Sequence, residues 1–288
     1  MAIPALAGLL LFILLPFAAA LALAFTDLRL GSPLPVKFVG FHQFVQLSND
    51  PDFIRALLNN LLFAAVVVPL QTVLALALAL ALALLLNQGL PGTVAFRTLF
   101  FMPVVFPMSL VSVIWSLIYA PGPDGMMNAF LEWLSFGLWE ARDFLRDPLL
   151  ALPGIMLLSI WQGVGFQMVI LLAGLQAIPQ SLYEAAALDG AGRWQKHLHI
   201  TLPQLRNPLI FVMLITTILA FRLFDQVQIM TRGGPGNATT TVIYETVQSA
   251  FARQQVALAS AMTVVFFLLV LAVTWLQRRY THHERELT

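Results

Sequence analysis

From Leu57 to Leu86 this chain carries no charged residue, and five more long apolar runs accompany it: Ile3–Phe25, Leu99–Tyr119, Leu149–Gln176 and Val256–Leu276, also free of charge, and Pro208–Met230, interrupted only by Arg222 and Asp225. About 20 residues at 1.5 Å per residue cross the roughly 30 Å of hydrocarbon in a bilayer, so each run is long enough to span. Inside lipid a backbone must satisfy its own polar groups, which leaves helices or a closed barrel. Barrel strands alternate apolar with polar side chains. Here Leu74–Leu86 alternates Leu with Ala, both strong helix formers, over too many residues for a strand. The expectation is an all-α integral membrane protein with six transmembrane helices in one membrane domain, 1–288. Composition agrees, with 59% hydrophobic and 10% charged residues against about 25% charged in soluble domains.

The same inventory excludes several chemistries. The chain has no cysteine, so disulfides, iron–sulfur clusters and thiolate zinc sites are out. A net charge of +1 with no basic stripe offers nothing to track nucleic acid. A phosphate-cradling loop ends in Gly-Lys-Ser/Thr; the two lysines, Lys37 in Pro-Val-Lys-Phe and Lys196 in Gln-Lys-His, do not fit it. Met1 leads almost directly into the first apolar run, which reads as an uncleaved helix rather than a signal peptide. No Ser/His/Asp or paired-carboxylate arrangement stands out, and Asp124, Glu132, Glu140, Asp143 and Asp147 fall together in one loop, read as a solvated acidic face. His197 and His199 are two apart and face different ways on a helix, so neither metal nor cofactor is expected. His282 and His283 belong to a polar tail.

The one long polar interruption with clear helix signals is Ser181–Pro203, within the loop 177–207. Ser181 and Glu184 are spaced as a capping box, a short Ala-rich helix follows to Asp189, and Gly190 supplies a left-handed end. A second helix starts near Gly192 or Arg193, carries Trp194 and Leu198 on one face, and is expected to stop before Pro203. By themselves these signals fit a hairpin that merely joins two spans.

The spacing Glu184-Ala185-Ala186, three residues, Gly190, nine residues, Ile200-Thr201-Leu202-Pro203 resembles the EAA loop of permease subunits of binding-protein-dependent ABC importers. Phe38-Val39-Gly40-Phe41-His42-Gln43-Phe44, Phe101-Met102-Pro103, Ala173-Gly174-Leu175-Gln176 and Thr231-Arg232-Gly233-Gly234-Pro235 extend the resemblance over most of the chain, toward carbohydrate-uptake permeases of the maltose and glycerol-3-phosphate type. The resemblance implies a type I importer permease fold and a second, similar permease. It also implies two ATP-hydrolysing subunits, a soluble substrate-binding protein, and a bacterial or archaeal cytoplasmic membrane with both termini inside. It further implies that Glu184, Ala185, Ala186, Asp189, Gly190, Trp194, Leu198 and Pro203 couple the chain to the ATPase. Counting Lys and Arg on the two sides gives seven against seven, so charge bias alone does not orient the chain.

Candidate path residues are polar groups inside spans. Arg222 and Asp225, three apart, could pair on one helix face or meet substrate. Gln71, Gln162, Gln167, Gln226 and Gln228 could re-bond the hydroxyls of a desolvated sugar or act as interhelical glue. Trp115 and Trp161 could stack on sugar rings or pack. A transporter working without ATP would instead place ionisable residues in several spans and interrupt helices in related halves.

Overall fold

The computed structural model describes residues 2–87 and 93–281; His282, His283 and Arg285 lie outside the described residues. Among these the chain is helical, with a single isolated bridge pairing Thr26 with Phe38. Four helices are continuous rods long and apolar enough to cross a membrane: α1 (Ile3–Leu23), then, after the short α2 (His42–Ser48), α3 (Pro51–Asn87), α7 (Ala151–Gln176) and α12 (Val256–Thr281). They correspond to the first, second, fourth and sixth expected spans.

The third and fifth spans differ from expectation. Leu99–Tyr119 is not one rod. It splits into α4 (Thr93–Val105) and α5 (Met108–Ile118), bent by 98°. Pro107 has no N–H to continue the ladder and sits at the start of α5 with extended backbone, φ −57° and ψ 138°. The carbonyl of Phe106, freed by the break, accepts from Gln162 Nε2 at 3.1 Å. The fifth span is α10 (Arg206–Phe221), followed by an interruption and a π turn at Val227–Thr231. Between these lie α6 (Met126–Leu134), in the acidic loop, and the hairpin helices α8 (Gln180–Leu188) and α9 (Arg193–Gln204); α11 (Val242–Val247) precedes α12.

The bundle centres on α3 against α7, with α10 and α4 packed beside them. Phe63, Trp115, Tyr119, Ile155 and Phe221 form one apolar cluster, and farther along α3 Ala75 and Ala79 meet Met168, Leu171 and Val212. Lipid is as apolar as these side chains, so their contribution is close packing rather than escape from water. Close approach needs small residues: a Cβ on Gly165 would stand 1.9 Å from the carbonyl oxygen of Phe100 on α4. By contrast α1 is almost wholly unburied; Phe17 reaches Phe267 of α12, ring centroids 4.7 Å apart.

Candidate translocation cavity and coupling hairpin

A cavity of about 450 Å³ opens between α3, α7, α10 and the two interruptions. Its apolar wall includes Phe63, Val67, Met108 and Phe166, and its polar groups are Gln71, Ser159, Gln162, Thr216, Arg222, Asp225 and Gln226. Five of the seven polar candidate path residues therefore converge, Gln71, Gln162, Arg222, Asp225 and Gln226, while Gln228 is not among the lining residues. Gln226 Nε2 donates to Ser159 Oγ at 3.3 Å. Gln167 does not reach the cavity. It is fully buried and donates from Nε2 to Thr216 Oγ1 at 2.6 Å, so it acts through a lining hydroxyl. Trp115 packs against Tyr119 and Trp161, centroids 5.4 and 5.6 Å away, and neither tryptophan lines the cavity. Ser159 and Thr216 escaped the sequence reading because a lone hydroxyl in a span more often bonds its own helix; Ser159 Oγ also donates to Ile155 O at 2.9 Å.

Of the two readings of Arg222 and Asp225, the pairing on one helix face is not found among the described residues. α10 ends at Phe221 with Arg222 as its C-cap, and a new turn begins at Phe224, whose carbonyl accepts from Gln228 N at 2.8 Å. The break removes the helical register that would have placed the two charges side by side, and both are exposed on the cavity rim. A largely buried ion pair that does form is one the sequence did not mark: Arg253 Nη2 with Glu245 Oε1, the Glu245 side chain only 5% exposed. Both sit after the fifth span, where α11 and a π turn replace the expected loop.

The hairpin has the expected shape with two corrections. α8 begins at Gln180 with Pro179 as N-cap, and there is no side-chain cap. Pro179 fixes the φ of the entry residue (−60°), so the N-cap falls two residues before Ser181 and the capping box with Glu184 does not form. At the other end α9 runs through Pro203. A π turn at His197–Thr201 bonds Leu202 N to His197 O, and the widened turn accommodates the proline ring; the chain bends by 58° only at Leu205. Gly190 (φ +77°) ends α8 with a double bond pattern, Ala191 N to Ala186 O at 2.9 Å and Gly190 N to Ala187 O at 3.1 Å. Gln195 Oε1 accepts from Gly192 N at 2.8 Å at the start of α9. The Tyr183 hydroxyl meets Thr201 Oγ1 at 3.0 Å, locking the two helices together. Glu184, Ala185, Asp189 and Pro203 are exposed, Ala186 half-buried. Three large apolar side chains point outward: Leu188 at 90%, Trp194 at 81% and Leu198 at 58% exposure.

A helical bundle with several apolar, membrane-length helices and a cavity that gathers polar groups at two interrupted spans fits a membrane transport protein. The family described as the binding-protein-dependent transport system inner membrane component matches residues 1–285, and the chain belongs to it. It is 37% identical over 281 residues to the diacetylchitobiose uptake system permease protein NgcF of Streptomyces coelicolor (94% of this chain, 79% of that one). It is 30% identical over 252 residues to the sn-glycerol-3-phosphate transport system permease protein UgpA of Yersinia pestis (87% and 82%). The fold is shared with a chain of a bacterial alginate ABC transporter solved in complex with an alginate pentasaccharide-bound periplasmic protein, with a TM-score of 0.83, 21% identity, and 97% and 92% coverage. Interrupted spans also suit transporters that work without ATP; family membership separates the two classes here.

Proposed function

We propose that this chain forms half of the membrane pathway of an ATP-driven importer for a sugar, oligosaccharide or glycerol phosphate. A second, similar permease supplies the other half. Two ATPase subunits sit on the cytoplasmic side, where both termini lie, and a soluble binding protein delivers substrate from outside. The observation that carries this reading is the cavity. Its amides (Gln71, Gln162, Gln226), hydroxyls (Ser159, Thr216) and rim charges (Arg222, Asp225) converge between apolar walls. Hydroxyls leaving water must be re-bonded, and such amides and hydroxyls both donate and accept. The named substrates of the relatives, diacetylchitobiose and sn-glycerol 3-phosphate, belong to this chemical class.

In this reading closure of the ATPase dimer pushes on the hairpin. Glu184 makes a polar contact with the ATPase, and Trp194 and Leu198 bury their exposed surface in it. Fully buried, such side chains contribute about 1.5–3 kcal/mol each. α9 leads across Leu205 into α10, so movement of the hairpin is transmitted to the interruption at the cavity, and the cavity alternates between the two sides. The test is ATP hydrolysis by the reconstituted complex with candidate binding proteins loaded with different sugars or glycerol phosphates. Stimulation by one loaded protein and not by its empty form supports the reading. Hydrolysis indifferent to every such ligand, with uptake of another solute class, would overturn it.

A further inference from the structure

Backbone groups freed by a helix interruption at membrane depth persist only where protein or water satisfies them. The third-span interruption is satisfied from the cavity wall by Gln162. The fifth-span interruption is satisfied from outside the span: Thr241 Oγ1, fully buried, donates to Leu223 O at 2.8 Å. Leu223 stands between Arg222 and Asp225. Thr241 is itself held on both sides by α3, since Asn59 Nδ2 donates to Thr240 O at 2.8 Å and Asn60 Oδ1 accepts from Val242 N at 2.8 Å. One helical stretch earlier on α3, Asp52 Oδ1 accepts from Asn237 Nδ2 at 2.7 Å.

Asn60 is fully buried and its Nδ2 has no partner. An apolar residue of that size would avoid stranding a donor, so what the amide adds at this position is its grip on Val242. Three to four residues apart along α3 from Asn60 come Phe63, Val67 and Gln71, which line the cavity. At the far end of the same loop, burial, and then the neighbouring Glu245 carboxylate, raise the Tyr244 hydroxyl above its ordinary pKa. It therefore stays protonated and donates to Arg232 O at 2.7 Å.

We infer that Asn59, Asn60 and Thr241 form a bracket that positions the fifth-span interruption, and with it Arg222, Asp225 and Gln226, at the cavity. α3 thus shapes the cavity twice, directly through Phe63, Val67 and Gln71 and indirectly through the loop it grips. These three are positioning residues: none lines the cavity. Their importance for transport rests on the import reading above, but their effect on the interruption does not.

The test is amide hydrogen exchange, read by mass spectrometry, on the chain co-expressed and purified with its partner subunits. Thr241→Val keeps the shape and removes the donor. Amides of 222–228 are expected to exchange at least about tenfold faster, while those of 151–176 keep their protection. Thr241→Ser, which restores the hydroxyl, is expected to stay within about twofold of the unaltered chain. Asn59→Leu is read in parallel, with the same expectation, and decides the matter if Thr241→Val does not accumulate. Unchanged protection at 222–228, a uniform loosening of every helix, or a serine variant as loose as the valine one would overturn the bracket. Because exchange is measured without substrate, a failure of the sugar-import reading leaves this outcome untouched.

Discussion

Two glycines two residues apart on α7 are expected to fail in different ways when changed to alanine. A Cβ at 165 would lie 1.9 Å from Phe100 O and 3.1 Å from Phe101 Cα, where ordinary contact begins at 3.4 Å. The obstacle is the backbone of α4, so no rotamer change relieves it, and the whole helix must retreat by about 1.5 Å. A gap of even 0.5–1 Å forfeits a quarter to a half of the dispersion energy of the contacts it opens. Overpacking of this kind costs about 1–3 kcal/mol, and a rigid obstacle places Gly165→Ala at the upper end, roughly 3 kcal/mol. That is on the order of a hundredfold in the ratio of folded to unfolded chain. At 163 the Cβ would meet Gln71 Nε2 at 2.3 Å, the end of a flexible side chain. Rotation relieves it for about 1 kcal/mol or less, at the expense of displacing a cavity amide. The assay is the fraction of monodisperse complex after heating in detergent, alongside uptake by membrane vesicles. Gly165→Ala should lose monodispersity at markedly lower temperature, whereas Gly163→Ala should keep it and lose uptake. A wild-type heating curve for Gly165→Ala, or a larger loss of stability for Gly163→Ala, would refute the packing argument.

Since Arg222 and Asp225 face the cavity and not each other, Arg222→Met, Asp225→Leu and the double change should all accumulate at near wild-type yield; a double variant that restores what the singles lose would revive the ion pair. At the hairpin, Leu198→Asp should release the ATPase on co-purification. Gly190→Val, forced into a positive φ that costs about 1–3 kcal/mol, should retain it while uncoupling hydrolysis from uptake, and Glu184→Ala should do either more mildly; retained coupling in the first two would reduce the hairpin to a connector. Arg253→Met strands the Glu245 carboxylate. Removing one partner of a buried pair costs about 3–5 kcal/mol, discounted here because the arginine side chain is 42% exposed. Thermal stability should therefore drop for the single change and recover in Arg253→Met with Glu245→Leu.

The sequence by itself determined the class of fold and four of the spans, because lipid permits few backbone solutions and a charge-free run of 20 or more residues has little choice among them. It also marked the hairpin, where glycine at a left-handed position and small residues at fixed spacing are local requirements; Gly190 sits at φ +77° as its neighbours demand. Elsewhere two local signals competed within a few residues, and the stronger one set the structure. Pro179 overrode Ser181 as the start of α8, and a π turn let α9 continue through Pro203. What only the tertiary structure decided were the two interruptions. An apolar run reads the same whether its helix is whole or broken, and a break becomes tolerable only when a distant group takes up the freed carbonyl. Gln162 does so for Phe106 across 56 positions and Thr241 for Leu223 across 18. Arg222 and Asp225 look like a pair three residues apart on one helix; the broken helix makes them two separate charges at a cavity, since their register belonged to a turn that the fold does not build.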